Sequence, residues 1–267
     1  MVKCRQILNI LEQWAPKKLA EAWDNPGLLV GSEQQEVTKI LTCLDVSDAV
    51  VAAAEAQGAQ LIVAHHPLLF HGIKKIRTDL SDGARLQRLL KADIAVIAAH
   101  TNLDSAPGGV NDVLARAIGL TEIEGFGEER EAAGITGTLG RIGYLAEPMA
   151  ACDFAKQVKE ALPCNAVRLV EAGGHPVKKV ALCSGSGAEF IAKAAFLGAD
   201  AYVTGDVKYH EAQQAQDQGI HLLDAGHFGT EFPIAAVLRD HLAKALAGQG
   251  VEVIADDFSR DFFQYII

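Results

Sequence analysis

The sequence Leu-Ile-Val-Ala-His-His-Pro at residues 61–67 joins a buried-strand pattern to two metal-type side chains. Four apolar residues, two of them β-branched, predict a short strand that Pro67 cannot continue. Because consecutive strand side chains point to opposite faces, His65 and His66 can serve one site only where the chain leaves the strand. Strand carboxyl ends are where sites form in open α/β sheets. This stretch therefore predicts two ligands for a metal ion at a strand end.

Two further segments place a histidine and a carboxylate four residues apart behind an apolar run. They read His100-Thr-Asn-Leu-Asp104 and His227-Phe-Gly-Thr-Glu231. Imidazole and carboxylate groups together form the ligand set of divalent Zn, Fe, Mn and Co ions. Each carboxylate also has a structural interpretation, as a turn cap or as a partner of a helix dipole. The recurrence at successive strand ends favours metal binding over these separate roles.

The sequence thus offers five candidate metal ligands: His65, His66, Asp104, His227 and Glu231. A structural zinc ion uses four ligands, and a catalytic one uses three plus water. Five ligands, two of them carboxylates able to bridge, favour two divalent ions about 3.5–4 Å apart, as in two-metal hydrolytic sites. His100 is a sixth candidate, as a ligand, as a residue that orients a ligand, or as a proton shuttle.

The segments that carry these residues recur within the chain. Residues 37–66 and 177–206 align without a gap at a constant offset of 140. The two His-x-x-x-carboxylate segments correspond at an offset of 127, and Gly205-Asp206 stands where the first copy has its histidine pair. We predict an internal duplication that places the strand ends of two related halves around one shared cleft. Chance similarity between alanine-rich α/β units is the alternative.

Apolar strand patterns alternate with alanine-rich amphipathic helices, which predicts an α/β fold of mixed sheets flanked by helices. We divide the chain into a first α/β half at 1–120, a connecting segment of strands and a helix without a large insertion at 121–176, and a second α/β half at 177–267. Ser47 as N-cap and Gly58 as C′ residue delimit one predicted helix. The Gly/Glu-rich residues 121–134 predict a connecting loop.

The remaining histidines and the cysteines do not extend the metal site. A lone histidine is commonly a hydrogen-bonded structural residue, and we assign this role to His71, His175, His210, His221 and His241. The five cysteines are odd in number and include no Cys-x-x-Cys pair, so neither a disulfide framework nor a cysteine zinc site is indicated. Reduced thiols are typical of a reducing compartment.

Two glycine-containing motifs have weaker implications. Ser184-Gly-Ser-Gly187 precedes a helix and can hold an anion at its N-terminus, but it lacks a Walker lysine and the full dinucleotide fingerprint. The segment Thr204-Gly-Asp-Val-Lys-Tyr-His210 follows the strand equivalent to the one before the histidine pair. It either lines the same cleft, with Asp206, Lys208 and Tyr209 available to substrate, or forms a strand-to-helix turn capped by Asp206.

Composition limits the partners of the chain. Its 267 residues are 49% hydrophobic and 22% charged, which is ordinary for an α/β globular protein. The net charge of −10 and the lack of a lysine/arginine cluster argue against a nucleic-acid partner. The N-terminal run is typical of an amphipathic helix rather than a signal peptide, and no apolar run of 18 residues predicts a membrane span. We therefore expect a cytoplasmic protein with no membrane partner.

With these motifs in hand, the sequence resembles the NIF-three-like dinuclear metal proteins, also called GTP cyclohydrolase 1 type 2 homologues. The resemblance covers essentially the whole chain. Its matching segments are Trp23-Asp-Asn-Pro-Gly-Leu28, Ala64-His-His-Pro-Leu-Leu-Phe70, His100-Thr-Asn-Leu-Asp104, Thr204-Gly-Asp206 and Gly226-His-Phe-Gly-Thr-Glu231. The His-His-Pro and His-x-x-x-Glu segments are the most specific of these.

The resemblance implies a dinuclear metal centre on the same five residues, between the two α/β parts of each subunit, and a toroidal homohexamer. Many family members carry a domain inserted between the halves, and the spacing here resembles the short form without it. The family name implies a metal-dependent hydrolase that opens a purine ring. Activation of a water molecule suits cyclohydrolase, phosphoesterase and amidohydrolase reactions equally, with a small nucleotide or phosphoester as substrate. A non-catalytic metal-binding, metal-delivery or regulatory protein is the alternative.

Overall fold

The structure is a computed structural model that describes residues 1–266. Its α-helices are α1 Cys4–Trp14, α2 Asp48–Gln57, α3 Ser81–Lys91, α4 Thr101–Ser105, α5 Val110–Ala117, α6 Ala151–Ala161, α7 Ile191–Phe196, α8 Tyr209–Asp217, α9 His227–Glu231 and α10 Ile234–Ala245. Its strands are β1 Val2–Lys3, β2 Gly27–Val30, β3 Glu36–Val37, β4 Lys39–Cys43, β5 Leu61–Ala64, β6 Ala95–Ala98, β7 Thr121–Phe126, β8 Arg130–Ala132, β9 Ile135–Gly137, β10 Gly140–Met149, β11 Arg168–Val170, β12 Val177–Leu182, β13 Ala201–Thr204, β14 His221–Asp224 and β15 Glu252–Ala255. Short 3-10 helices lie at Lys17–Leu19 and Ala188–Phe190.

The first compact unit consists of Met1–Leu103, Ala132–Gly134 and Ile234–Ser259. Its sheet has the order β15-β4-β5-β6-β2, in which the first four strands are parallel and β2 is an antiparallel edge. Alternate side chains of β4, β5 and β6 pack against α2 and α3 in one apolar cluster. On β4, Thr42 donates to the carbonyl of Ala235 on α10 at 2.6 Å. Burial of β5 and β6 along their whole length explains their unbroken apolar sequences.

The second compact unit consists of Asp104–Glu131, Ile135–Pro233 and the segment from Arg260. Its sheet has the order β11-β14-β13-β12-β10-β7, with parallel pairing from β12 through β14 and antiparallel pairing elsewhere. One apolar cluster joins the sheet to α5 and α6, where Leu114 and Phe154 are fully buried. A second cluster contains Ile191 and Ala194 of α7 together with Ala215 of α8. Both units are therefore mixed sheets flanked by helices, and the predicted α/β fold class is confirmed.

The parallel strands of the two units share a register. Ile40 pairs with Leu61 between β4 and β5, and Val180 pairs with Ala201 between β12 and β13. Each residue of the second pair lies 140 positions after its counterpart in the first pair. The antiparallel edge strands β2 and β11 also occupy equivalent positions in their sheets. This equivalence is what an internal duplication requires, and the duplication itself stays a prediction.

The grouping of segments in space differs from the linear division at 1–120, 121–176 and 177–267. The chain leaves the first unit after Leu103 and returns to it at Ile234. As a result α10 and β15, which follow the second repeat, belong to the first unit, where β15 pairs with β4. Hydrogen bonding to a free sheet edge, rather than order along the chain, decides where β15 lies.

Local signals predicted α2 well and the segment at 121–134 poorly. The Ser47 side chain accepts from the backbone N–H of Val50 at 3.2 Å, and Gly58 ends α2 with a φ of 67°, as predicted. The predicted loop at 121–134 is wrong, because β7 and β8 lie within it. Strand β7 is a sheet edge and largely exposed, so its sequence lacks an apolar run.

Among residues 1–266, no helix combines the length and the apolar character that crossing a bilayer demands.

Candidate metal site

The histidine pair extends the pairing of β5 beyond the strand itself. The backbone N–H of His65 donates to the carbonyl of Cys43 at 3.1 Å, and that of His66 donates to Leu44 at 2.9 Å. Pro67 follows and has no N–H to continue the ladder. The two imidazole rings end with centroids 5.1 Å apart and planes tilted by 42°. The strand end thus brings both rings together, as the sequence predicted.

Each ring of the pair is fixed through its Nδ1 atom. His65 is fully buried, and its Nδ1 lies 2.8 Å from the carbonyl oxygen of Ala99. A carbonyl oxygen only accepts, so Nδ1 of His65 carries the proton and Nε2 carries the lone pair. Nδ1 of His66 lies 2.8 Å from the carboxylate of Asp45. An acceptor on the second nitrogen is the usual way in which proteins orient a metal-binding histidine.

His100 completes a three-histidine group within the first unit. Its ring centroid lies 5.2 Å from that of His65 and 5.6 Å from that of His66. One nitrogen atom from each of the three rings lies within 4.8 Å of the chosen nitrogen of the other two. This group can hold a metal ion.

Asp24 fixes His100 in the same way. One carboxylate oxygen of Asp24 lies 2.8 Å from Nδ1 of His100, and the other accepts from the backbone N–H and the hydroxyl of Thr101. Burial raises the pKa of Asp24, but hydrogen bonds from His100 and Thr101 and the charge of His100 outweigh it and lower that pKa to about 2. Asp24 is therefore ionised at neutral pH.

In the second unit, helix α9 carries His227 and Glu231 one turn apart. Nε2 of His227 lies 3.0 Å from Oε2 of Glu231, and its Nδ1 lies 2.7 Å from the carboxylate of Asp206. Ionised carboxylates only accept, so this geometry needs a second proton on the ring, a proton on the Glu231 carboxyl group, or a cation at Nε2. A divalent ion between His227 and Glu231 would take the place of one proton. Asp206 thus contacts a candidate metal ligand, which agrees with the interpretation that its segment lines the site, whereas the N-cap of α8 is Lys208. Its contact with substrate stays a prediction.

Asp104 lies on α4 and is buried. Asn111 of α5 donates to the carbonyl of Asp104 at 3.2 Å and accepts from the backbone N–H of Ser184 at 2.7 Å. Burial raises the pKa of the Cys183 thiol well above its usual range, and the carboxylates of Asp104 and Glu231 raise it further. Both carboxylates therefore lie near one neutral thiol.

Arg141 fixes the end of the helix that carries Asp104. Its buried guanidinium donates to the carbonyls of Ser105 and Ala106 at 3.2 and 3.1 Å and to the carboxylate of Asp112 at 3.0 Å. The sequence did not indicate Arg141, because an isolated arginine in a strand has no motif. A polar residue within the apolar strand pattern of β10 was the available signal.

Gly185 makes room for the ligand pair on α9. It has a φ of +62°, and a Cβ built on it would overlap Oε1 of Glu231 and lie 3.2 Å from Nε2 of His227. The backbone N–H groups of Ser184, Gly185 and Gly187 donate to Asn111, Thr230 and Thr204. These N–H groups of the Ser184-Gly-Ser-Gly187 motif therefore bond to the protein's own side chains rather than to an anion, and the motif forms a wall of the site.

The predicted ligands divide between the units. His65 and His66, with His100, belong to the first unit, and Asp104, His227 and Glu231 belong to the second. The orienting carboxylates of Asp24, Asp45 and Asp206 were not predicted as partners of these histidines, although Asp24 and Asp206 stand in the motifs that carry the family resemblance.

The histidines outside the site have other surroundings. His221 is buried, accepts from the N–H of Ala172 and lies 3.0 Å from the carbonyl of His175. His241 stacks on Trp14 with ring centroids 4.2 Å apart. His71 and His210 are exposed.

The fold and these groups define an α/β protein with histidine and carboxylate clusters able to bind metal. The family model described as Duf34/NIF3 (NGG1p interacting factor 3) matches residues 2–261. The chain belongs to the Duf34/NIF3 family.

Relatives and solved structures agree with this assignment. A Clostridium perfringens protein called GTP cyclohydrolase 1 type 2 homolog is 35% identical over 99% of this chain and 100% of its own length. A Bacillus cereus protein related to NIF3 has a TM-score of 0.92 at 28% identity, and a Staphylococcus aureus hypothetical protein has 0.92 at 32%, each covering 99% of both chains. The alignment with a Halalkalibacterium halodurans homologue runs over 365 positions against 267 residues here, so that relative carries a segment that this short form lacks.

We expect Asp24→Asn to lower the free energy of unfolding at pH 7 by about 2 kcal/mol. The folded-state pKa of Asp24 lies below its ordinary value, so its contribution is present above about pH 4 and is lost as the pH falls towards 2. Urea unfolding of wild type and variant from pH 7 to pH 2 tests this, with the exposed Asp153→Asn as control. A difference in the free energy of unfolding between wild type and Asp24→Asn that stays constant from pH 7 to pH 2 would contradict this prediction.

We expect Gly185→Ala to abolish metal retention, because the new methyl group overlaps the carboxylate of Glu231. Gly198→Ala is the matched control: Gly198 also has a positive φ, of +74°, but nothing lies within 4 Å of the position that its Cβ would take. Both variants carry similar backbone strain, of about 1 kcal/mol. Metal content by inductively coupled plasma mass spectrometry, beside the melting temperature, separates the two effects. Equal metal content in both variants would show that Gly185 is not a wall of the site.

Proposed function

We propose that this protein is a metal-dependent hydrolase in which His65, His66, Asp104, His227 and Glu231 bind two divalent ions from the set Zn, Fe, Mn and Co. The observation that carries the proposal is the Nδ1 contact made by each proposed histidine ligand, namely His65, His66 and His227. Their acceptors are the carbonyl of Ala99 and the carboxylates of Asp45 and Asp206. Such contacts leave Nε2 of each ring available to bind a metal ion.

The donor set suits these metals. Imidazole nitrogens and carboxylate oxygens bind borderline divalent ions, whereas a site for Ca or Mg would use oxygens alone. The thiol of Cys183, neutral near Asp104 and Glu231, is not part of the set. Five ligands exceed the three or four that a single zinc ion uses, which supports two ions.

When bound, two such ions would lower the pKa of a water molecule towards about 7 and offset charge on the substrate. The chain's own residues then have defined roles. Glu231 and Asp104 supply negative charge within a largely buried setting, which strengthens their hold on cations. His100, held by an ionised Asp24, is positioned to accept and release a proton.

The reaction class comes from chemistry together with the relatives. Activated water can attack a purine ring, a phosphoester or an amide, and the relatives' name, GTP cyclohydrolase 1 type 2 homolog, favours ring opening of a small nucleotide. The family resemblance adds a toroidal homohexamer, tested by light scattering. Free cysteines throughout residues 1–266 agree with a cytoplasmic location.

Metal analysis tests the centre. We expect two ions per chain in wild type after dialysis against buffer that contains micromolar metal, and fewer than one in Asp104→Asn and in Glu231→Gln. Asp153→Asn and Glu160→Gln, which remove exposed carboxylates from α6, are the matched controls and should retain two. Fewer than one ion per chain in wild type would contradict a dinuclear centre.

Turnover tests the hydrolase assignment separately. The metal-loaded protein is assayed with GTP and with simple phosphoesters, and we expect Glu231→Gln to abolish any hydrolysis. Turnover that survives in Glu231→Gln would place the reaction elsewhere. Two bound ions without turnover on any substrate would favour a metal-delivery or regulatory protein instead.

A further inference from the structure

We propose that Trp23 and Phe70 form a subsite for a planar heteroaromatic ring, such as a nucleobase, next to the three-histidine group of the first unit. The inference rests on the proposed function and specifies its substrate class, because a ring subsite favours a nucleotide over a simple phosphoester. These residues lie within matching family segments but have no metal-type chemistry of their own.

The geometry places two aromatic side chains directly beside His100. The ring centroid of Trp23 lies 5.6 Å from that of Phe70 and 6.1 Å from that of His100, and Phe70 lies 6.2 Å from His100. The three rings therefore form a nearly equilateral triangle. His100 in turn contacts both rings of the histidine pair. A molecule in contact with Trp23 or Phe70 is thus one ring away from the candidate metal ligands.

Both aromatic side chains are exposed. Trp23 is 58% exposed and Phe70 is 39% exposed. Large exposed apolar surfaces beside a polar group commonly mark binding sites. An exposed indole face offers offset stacking to a planar ring, and such stacking stabilises nucleobases on aromatic side chains.

Hydrogen bonds hold the backbone segments that carry Trp23 and Phe70. Asp24, next to Trp23, is bonded to His100 and Thr101. Asn25 donates from its side chain to the carbonyl of Leu69, next to Phe70, at 2.6 Å. The same short segment therefore orients His100, ties the two aromatic segments together and leaves the indole ring exposed. A pre-positioned ring loses little conformational entropy when a ligand stacks on it.

A cation is the alternative occupant, because aromatic faces also attract cations and a quaternary ammonium group would suit two adjacent rings. Charge does not select it, since the ionised Asp24 next to Trp23 offsets positive charge at the proposed metal site. The reaction class favoured above, ring opening of a small nucleotide, selects the planar heteroaromatic ring.

Fluorescence tests the subsite directly. The chain contains two tryptophans, so Trp14→Phe leaves Trp23 as the single tryptophan reporter. We expect guanosine to quench its emission and ribose 5-phosphate, which lacks the ring, to leave it unchanged. By calorimetry, Trp23→Ala should weaken guanosine binding about tenfold. Phe196→Ala, which removes an 84% exposed aromatic ring of the second unit, should leave the affinity unchanged.

The outcomes separate this proposal from the metal proposal. The fluorescence titration and the calorimetric titration are each run on metal-loaded and on chelator-treated protein. Two bound ions with no guanosine effect on Trp23 overturn the subsite and leave the metal centre intact. Guanosine quenching by a protein that binds no metal even after metal is added back supports the subsite and removes the metal-dependent hydrolase. Trp23 emission that shifts with protein concentration alone, in step with the mass from light scattering, shows that a second copy covers the ring and overturns the proposal.

Discussion

The hydrogen bonds made by histidine Nδ1 atoms constrain the candidate site more than any other interaction. His65 is the clearest case, because its partner is a backbone carbonyl that can only accept. The tautomer is then fixed by the fold itself, and Nε2 must present its lone pair. His66 and His227 use carboxylates for the same purpose. A histidine that is oriented before the metal arrives loses little entropy on binding.

These contacts depend on parallel strands that end at the same edge. Asp45, the histidine pair and His100 follow β4, β5 and β6, which are neighbours in one sheet. Burial on both faces leaves β5 and β6 entirely apolar, so polar groups collect immediately after them. In the second unit, Asp206 follows β13 and α9 follows β14 in the same manner. The site chemistry therefore follows from strand pairing.

The sequence predicted what local pattern determines. The strand before His65, the boundaries of α2 and the one-turn spacing of His227 and Glu231 are all readable from residue types. Arg141 acts through backbone carbonyls on α4, which no sequence spacing records. The exposed edge strand β7 lacks the apolar run that identifies buried strands. The addition of β15 to the first sheet depends on which edge was open in space.

Imidazole nitrogen NMR tests the central claim most directly. In long-range 1H–15N spectra of metal-free protein above the ordinary histidine titration range, His65 and His66 should carry their proton on Nδ1. His221 is an internal control of opposite tautomer, because its Nδ1 accepts from the N–H of Ala172. Addition of Zn should then shift Nε2 of His65 and His66 and leave His221 unchanged. Protonated Nε2 atoms in His65 and His66, or no response to metal, would contradict the account.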